Sequence, residues 1–292
     1  MNEKTIYALG FFDGVHLGHQ ALLTACRELA NQRGCKAGVV TFISHPDALV
    51  KGNAPGLINT YADRRKLLRV DNLVELPFDW ELMQMPWQEF FLLLTEKYNA
   101  VGLVCGEDFR FGNRGEGTAE KLKKACEEIN ISCAVVPEQT LDGVIVSSTH
   151  IRALLEKGDL EQANRLLGHP HIFSGEVISG RKLGRTLGIP TANLALPEEL
   201  VKLPHGVYAC KAMVEGQKYL AVTNIGNRPT VGGHRVTIEP WLLDFEGDLY
   251  GKTITLEFYD FLRPEKKFES LEALKAEIEK NALQTRNFFE KK

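Results

Sequence analysis

Residues 10–19, with the sequence GFFDGVHLGH, combine three glycines with two histidines. They follow an apolar run at residues 6–9, typical of a buried strand, and precede a segment with apolar residues at helical spacing. A glycine-bounded turn between a strand and a helix lets backbone N–H groups and the helix N-terminus face an anion. His16 and His19 would lie on one side of that helix entrance, where imidazoles can hold the charge developing on a phosphate under attack. The stretch therefore predicts a site at which the phosphates of a nucleotide react.

This stretch has two other interpretations. Asp13, His16 and His19 could be metal ligands, or the histidines could be ordinary polar residues at a helix start. The order strand, turn, helix favours the nucleotide interpretation. The whole string also resembles the signature of the HxGH nucleotidyltransferase superfamily, and its FDGVHxGH form is most similar to the adenylyltransferase half of bacterial bifunctional riboflavin kinase/FAD synthetases. The resemblance implies that the two histidines are catalytic. It also implies nucleotide contacts from Gly10, Phe12, Asp13 and Gly18.

Length and composition narrow the class of protein. The chain has 292 residues, 44% of them hydrophobic, which is enough for about two domains with cores of their own. The net charge is −3, and Lys and Arg are spread along the chain, so we expect no nucleic-acid partner. No apolar run reaches the roughly 18 residues of a membrane span, so we expect no membrane partner. Six cysteines without CxxC spacing indicate reduced thiols and a cytoplasmic location.

The first half of the chain alternates strand and helix patterns. This alternation predicts an α/β domain with a Rossmann-like parallel sheet covered by helices on both faces. In such sheets, ligands gather beyond the carboxyl ends of the strands, so the loops at 10–19, 44–46 and 106–117 should converge on one cleft. The predicted strands are residues 6–9, 37–42, 100–105 and 132–136, and the predicted helices are 63–69, 87–98 and 118–130.

The pattern changes near residue 168. Closely spaced β-rich runs separated by turn residues predict a small antiparallel β-barrel, and a capped apolar pattern at 270–281 predicts one terminal helix. We therefore predict two domains, residues 1–168 and 169–292. The β-rich runs are residues 175–178, 207–214, 219–224, 236–245 and 254–261.

A second candidate phosphate site precedes the end of the first half. Residues 147–152, SSTHIR, place three hydroxyls at a helix entrance with Arg152 one turn later, and these groups can donate hydrogen bonds to phosphate. A plain N-cap would use the same hydroxyls. The string resembles the SST-x-[IV]-R element of the same family, which implies phosphate contacts. The candidates are Ser147, Ser148, Thr149 and Arg152.

Two further segments of the first half resemble flavin-binding elements of that family. Residues 106–112, GEDFRFG, resemble its loop that holds the isoalloxazine ring, although they could also form a glycine-rich surface loop. Residues 41–46, TFISHP, resemble its TF-x-PHP element, with Ser44 in place of the first proline. The resemblance implies flavin contacts from four side chains. These are His45, Asp108, Phe109 and Phe111.

The second half carries the string GRKLGRTLGIPTAN at residues 180–193. It lacks the GxxxxGK[ST] pattern, so it is no P-loop. The string resembles riboflavin kinase, which implies that Thr191 and Asn193 help to bind Mg²⁺ and ATP phosphates while the glycines admit the backbone close to them. The alternative is a loop with an ordinary turn at Pro190. The glycines concerned are Gly180, Gly184 and Gly188.

Residues 237–245 resemble a strand of the same family, VE-x-x-[IL]LDF. Strand alternation places Thr237 and Glu239 on one face, and a carboxylate facing an ATP site can accept the proton of an attacking hydroxyl. Without the neighbouring PTAN string, a solvated strand glutamate would be the better interpretation. Residues 224–233 resemble the family's mobile loop that closes over the substrates.

These resemblances span nearly the whole chain in order. They imply a bifunctional enzyme that phosphorylates riboflavin with ATP to FMN in its second half, and adenylylates FMN with ATP to FAD and pyrophosphate in its first. The expected cofactor is Mg²⁺ and the expected partners are riboflavin, FMN and ATP. The alternatives are a protein that retains only one activity, and a non-catalytic flavin-binding or regulatory protein on the same scaffold.

Overall fold

The computed structural model describes residues 3–178, 188–230 and 233–291, with the backbone alone at 228–230 and 233–235. The contacts divide the chain into two compact units. Unit 1 consists of Met1–Pro55 and Arg64–Ser148, and unit 2 of Gly56–Asp63 and Thr149–Lys292.

Unit 1 is built on a five-stranded parallel sheet with the strand order β3-β2-β1-β4-β7. This confirms the predicted sheet and four of its strands. The strand β3 was not predicted, because its polar residues at an edge of the sheet interrupt the apolar run that marks a buried strand. The strands are β1 (Thr5–Leu9), β2 (Lys36–Phe42), β3 (Asn72–Leu76), β4 (Ala100–Gly106) and β7 (Ser132–Val136), with two short hairpins, β5 (Arg110–Phe111) with β6 (Gly117–Thr118) and β8 (Thr140–Leu141) with β9 (Val144–Ile145).

Helices cover both faces of this sheet. Along β1, Ile6 and Ala8 pack in one apolar cluster with α1, whereas Tyr7 and Leu9 pack in another with α5 and α6, because successive side chains of a strand point to opposite faces. The helices are α1 (Leu17–Arg33), α2 (Pro46–Val50), α3 (Tyr61–Leu68), α4 (Trp80–Gln84), α5 (Trp87–Leu92, continued by a π-helical turn Leu93–Lys97) and α6 (Ala119–Glu128).

Unit 2 is a nearly closed barrel with the strand order β10-β15-β12-β13-β14-β11, so the predicted barrel is confirmed. Its two edge strands approach where the Ile178 N–H donates to the Asn193 carbonyl oxygen at 2.9 Å. The elements are α7 (Ser148–Lys157), α8 (Leu160–Leu167), β10 (His171–Glu176), β11 (Leu194–Ala195), β12 (Gly206–Val214), β13 (Gln217–Thr230), β14 (Gly233–Leu242), β15 (Thr253–Pro264) and the terminal helix α9 (Leu271–Glu290).

Three sequence expectations for unit 2 need correction. The first strand begins at His171, not at residue 175, because Ile172 and Phe173 supply its buried residues. Most of the expected loop at 224–233 is a hairpin of β13 and β14, with Asn224 paired to Glu239. The terminal helix is capped as expected, since the Ser270 hydroxyl oxygen accepts from the Ala273 N–H, but it continues to Glu290.

The compact units also divide the chain differently from the predicted boundary at residue 168. Helix α8 buries Leu160, Leu166 and Leu167 within unit 2. The Asn164 amide donates to the Phe258 carbonyl oxygen at 2.8 Å and accepts from the His171 N–H at 2.7 Å. The helices before residue 168 therefore pack with the barrel. The boundary as a limit of independent folding stays a prediction.

A pair of fragments tests this packing. Fragment 149–292 should unfold at a higher urea concentration than fragment 169–292, because each leucine of α8 that is buried stabilises by about 1.5–3 kcal/mol. The measurement is the urea midpoint of each fragment by circular dichroism, with Arg165→Ala, an exposed position on α8, as the control in the longer fragment. Equal midpoints would show that α8 contributes nothing to the barrel.

A buried histidine makes the stability of unit 2 depend on pH. His171 is 5% exposed, and its Nδ1 has no hydrogen-bond partner among the described residues. Burial, with a smaller contribution from His169, lowers the pKa of His171 to about 4, against the raising effect of Asp63. The unfolded chain, with an ordinary histidine pKa of about 6.5, binds the proton more readily, so stability is full above that pH and is lost as the pH falls towards 4.

His171→Phe should remove this pH dependence, since phenylalanine keeps the ring contact with Phe258 but cannot take up a proton. Between pH 6.5 and 4, the wild-type chain should lose about 3 kcal/mol more of its unfolding free energy than the variant. Urea unfolding at a series of pH values measures this difference, and other groups that titrate contribute equally to both proteins. Parallel pH profiles would contradict the prediction.

Candidate active sites

The turn between β1 and α1 has a strained backbone. Phe12 and Val15 adopt positive φ angles of 59° and 41°, and Gly14 lies between them at 83°. Such left-handed conformations at bulky residues cost of order 1–3 kcal/mol each and persist only where the surroundings hold them. The Phe12 ring is fully buried in the α1 face of the sheet. The turn is therefore held in one conformation, which fixes how the following helix begins.

Side-chain donors satisfy the carbonyl groups of this turn. The Phe11 oxygen accepts from Arg64 Nη1 and from Thr41 Oγ1, both at 3.0 Å. The Asp13 oxygen accepts from Ser148 Oγ at 2.9 Å, and the Val15 oxygen from Gln20 Nε2 at 2.9 Å. Arg64 was not predicted, because a DRRK run on a helix is typical of a solvated face. Ser148, predicted to contact phosphate, donates to the protein itself here.

The two histidines form a stacked pair at the start of α1. Their ring centroids are 3.7 Å apart with 19° between the planes. His16 caps the helix, because its Nδ1 accepts from the His19 N–H at 3.4 Å, so the proton of its neutral ring lies on Nε2. Burial, then the neighbouring His16 and Arg64 charges, lower the pKa of His19 well below its usual value. The His19 ring is therefore neutral near pH 7 and can present an N–H group to an anion.

A cavity of about 300 Å³ opens beside this pair. It lies at the carboxyl ends of β1, β4 and β7, where the strand order changes direction, as expected for a ligand site in such a sheet. A Cβ atom at Gly18 would lie 3.1 Å from Cε1 of His16, so a larger residue there would press against the His16 ring. Predicted residues that line the cavity are Gly10, His16, Gly18, His19, Asp108, Phe109, Ser147 and Ser148, and unpredicted ones include Glu107, Glu138 and Gln139.

Four predicted residues of unit 1 are not among those that line this cavity. Phe12 packs in the core, and Asp13 is 2% exposed. His45 caps α2 by accepting from the Asp47 N–H at 3.1 Å, and its ring meets the ring of Phe11 at a centroid distance of 4.8 Å. Phe111 is buried and stacks against Phe109 at 5.4 Å. Their predicted contacts with substrates stay predictions.

Thr149 and Arg152 follow Ser148 in the first turns of α7 and belong to unit 2, so their phosphate contacts stay a prediction. Among the residues that the structure describes, no group of three or more His, Cys, Asp or Glu side chains could hold a metal ion. The metal-ligand interpretation of Asp13, His16 and His19 therefore has no support.

Unit 2 contains a larger cavity of about 450 Å³ at the end of the barrel that faces α9. Glu239 lines it, and the Thr237 hydroxyl donates to Glu239 Oε1 at 3.2 Å, which confirms that the two residues share a face of β14. Thr191 also lines the cavity. The other lining residues form an apolar part and a polar part. The apolar part consists of Ile189, Val207, Val222, Trp241, Phe268, Leu271, Leu274 and Ile278. The polar part consists of Asn224, Arg263, Glu265, Lys266 and Asn281.

Asn193, predicted beside Thr191 as a metal ligand, is 7% exposed, directly precedes β11 and is not among the residues that line the cavity. Gly188 adopts a positive φ of 74°. Gly180 and Gly184 lie outside the described residues. Arg263, which was not predicted, belongs to the polar part of the cavity. Its Nε donates to Asn281 Oδ1 at 3.1 Å. Burial lowers the pKa of Arg263, although Glu277 and Glu265 raise it.

Family models match both halves of the chain. A model described as FAD synthetase matches residues 1–150, and one described as riboflavin kinase matches residues 167–289. Proteins named bifunctional riboflavin kinase/FMN adenylyltransferase are 36% identical in Listeria monocytogenes and in Bacillus subtilis, and 37% identical in Escherichia coli K12. Each alignment covers 98% of this chain and 93% of the relative.

A solved structure resembles the whole chain. The protein from Streptococcus pneumoniae named macrolide-efflux protein aligns with a TM-score of 0.87 and 31% identity, over 98% of this chain and 95% of that one. In the part of this chain that the structure describes, no helix is long and apolar enough to cross a membrane.

Proposed function

We propose residue roles for a chain that belongs to the family of bifunctional riboflavin kinases/FMN adenylyltransferases, of which the matched relatives align over nearly its whole length. The chain phosphorylates riboflavin with ATP to give FMN and ADP, and adenylylates FMN with a second ATP to give FAD and pyrophosphate. The observation that carries the assignment of roles is that each unit has a cavity beside its candidate catalytic residues, the first beside the stacked histidines and the second beside Glu239.

In unit 1, we assign adenylyl transfer to the cavity beside His16 and His19. An oxygen of the FMN phosphate attacks the α-phosphorus of ATP, and pyrophosphate leaves from the opposite side. Neutral imidazoles with N–H groups donate to the phosphate oxygens as their charge grows. Gly10 and Gly18 leave room for the phosphates to approach the start of α1. Ser147 lies at the same cavity and can supply a further hydroxyl donor.

In unit 2, we assign Glu239 as the general base of the kinase reaction. The Thr237 hydroxyl holds one carboxylate oxygen, which leaves the other to accept the proton from the primary hydroxyl of riboflavin as its oxygen attacks the γ-phosphorus. The apolar part of the cavity, with Val207, Val222 and Trp241, offers a surface for the isoalloxazine ring. Asn224, opposite Glu239 on the neighbouring strand, can bond the hydroxyl groups of the ribityl chain.

ATP-using enzymes of this family generally need a divalent metal ion, and we propose that it is Mg²⁺. Thr191 and Asn193 offer a hydroxyl and an amide oxygen, which are hard donors of the kind that Mg²⁺ takes. Two neutral ligands suit a metal that keeps its remaining positions for phosphate oxygens and water. When bound, the ion would neutralise charge on the phosphates. The cytoplasmic location stays a prediction.

Mutations at the two stacked phenylalanines can distinguish an effect on flavin binding from an effect on stability. Phe109 lines the cavity, so Phe109→Ala should raise KM for FMN about two- to tenfold, which corresponds to a stacking contribution of roughly 0.5–1.5 kcal/mol. Phe111 is a core residue, so Phe111→Ala should lower the unfolding free energy by about 3–5 kcal/mol. Steady-state kinetics and urea unfolding of both variants measure the two effects. An unchanged KM in Phe109→Ala would remove Phe109 from the flavin site.

A crossed pair of variants tests the proposed roles. Glu239→Gln keeps the size of the side chain but removes the proton acceptor, so riboflavin kinase turnover should fall by about 10²–10⁴-fold while FAD synthesis from supplied FMN is unchanged. His19→Ala should lower FAD synthesis by about 10²–10³-fold and leave the kinase intact. Chromatography of the flavins after incubation with ATP and Mg²⁺ measures both activities on one preparation.

Each variant of this pair controls for the folding of the other, and Glu246→Gln, at an exposed position after β14, controls for the loss of a carboxylate. Equal retention of both activities in Glu239→Gln would remove Glu239 from the mechanism. A wild-type chain that makes FMN but no FAD would support the single-activity alternative, and an unchanged riboflavin peak would support a flavin carrier.

A further inference from the structure

We propose that Arg64, a residue outside the cavity of unit 1, is a positioning residue for adenylyl transfer. Its guanidinium group ties together the loops that follow β1 and β2, and so holds the strained turn that presents His16 and His19. This inference rests on the adenylyl-transfer role proposed above for these histidines.

Two hydrogen bonds and a ring contact of Arg64 lead to the ends of those two strands. Nη1 donates to the Phe11 carbonyl oxygen at 3.0 Å, and Nη2 donates to the Phe42 carbonyl oxygen at 2.5 Å. The guanidinium carbon lies 4.4 Å from the centre of the Phe11 ring. The same ring also contacts the ring of His45, which follows β2, at a centroid distance of 4.8 Å. One planar side chain therefore fixes both loops at the carboxyl end of the sheet, which is where the cavity opens.

Burial makes this arrangement specific to arginine. Arg64 is 4% exposed, and a buried cation costs several kcal/mol unless hydrogen bonds and ring contacts offset its desolvation. Arginine presents several donors in a rigid fork, whereas lysine presents a single ammonium that cannot reproduce two bonds with the same geometry. A merely packed core position would be served equally well by an apolar residue, and it would not need two backbone acceptors.

Arg64 also acts on the histidine pair through its charge. The Arg64 cation is one of the three causes that lower the pKa of His19, after burial and His16. The cavity that His19 lines is also lined by the carboxylates of Glu107, Asp108 and Glu138. Removal of the cation should therefore raise the pKa of His19 and make its ring easier to protonate. Geometry and charge can be separated by comparing a lysine with a neutral residue.

The test uses the full chain and four variants. Arg64→Met removes the fork and the charge, and Arg64→Lys keeps the charge alone. Arg65→Gln is the matched control, since Arg65 is the next residue of α3, has a side chain 57% exposed and pairs with Glu75 at 3.5 Å. His19→Ala reports on the proposed function itself. The measurements are kcat and KM for FMN, kinase turnover on the same preparation, the thermal midpoint, and the titration of His19 by NMR.

The proposal predicts that these variants differ in kcat for FAD synthesis and in the titration of His19. Arg64→Met should lower kcat for FAD synthesis by about 10–100-fold, because a misplaced reacting group can cost about 10²-fold, with little change in KM. Its His19 should titrate at higher pH than in the wild type. Arg64→Lys should keep the wild-type titration of His19 and lose less of kcat. Arg65→Gln should match the wild type, and kinase turnover should be unchanged throughout.

Other outcomes overturn the inference. An Arg64→Met enzyme with wild-type kcat and wild-type His19 titration would show that the Arg64 guanidinium group does not position the histidines. Loss of folding in both Arg64 variants, seen as loss of kinase turnover and of a thermal transition, would make Arg64 a residue of general stability. If His19→Ala retains full FAD synthesis, the proposed function of the histidines fails, whatever Arg64 does. Loss in His19→Ala with none in Arg64→Met rejects the positioning role alone.

Discussion

The arrangement of unit 1 depends on satisfying the backbone carbonyl groups of one strained turn. Phe12 and Val15 are held in left-handed conformations, and the oxygens of Phe11, Asp13 and Val15 all accept side-chain hydrogen bonds. An unpaired buried carbonyl group costs about 1–3 kcal/mol, so these donors and the turn stabilise each other. The turn then delivers the chain directly into α1 with both histidines at its entrance. Local strain and long-range hydrogen bonding thereby produce a rigid binding surface.

The same surroundings set the protonation of the site. Burial, with smaller contributions from His16 and Arg64, lowers the pKa of His19, so its ring is neutral near pH 7. An anion has the opposite effect on an imidazole, because it stabilises the protonated ring. A phosphate group bound beside His19, as proposed above, would therefore raise the pKa of that ring. The three carboxylates around the same cavity favour a substrate that arrives with its charge partly neutralised.

The cavity of unit 2 is formed by a β-barrel instead of a parallel sheet. A barrel nearly closed by the bond between Ile178 and Asn193 places Thr191 at the edge of its cavity, and strand alternation places Glu239 on the wall. Helix α8 and residues 56–63 pack with this barrel. The match to the riboflavin kinase model begins at residue 167, whereas the main segment of unit 2 begins at Thr149, and the difference is roughly one helical hairpin. The extent of a family match and the extent of a packed unit therefore need not coincide.

The two fold classes, most of the central strands and the candidate residues of both sites could be predicted from the sequence, because hydrophobic periodicity and contiguous motifs are local properties. Which of those residues reach a cavity depends on the assembled fold. Phe109 and Phe111 are two positions apart in one motif, yet one lines the cavity and the other lies in the core. Arg64 could not be identified from its DRRK run, because its hydrogen-bond acceptors lie 53 and 22 residues earlier in the chain. Burial and long-range pairing arise only when the strands are assembled, and they determine what each side chain does.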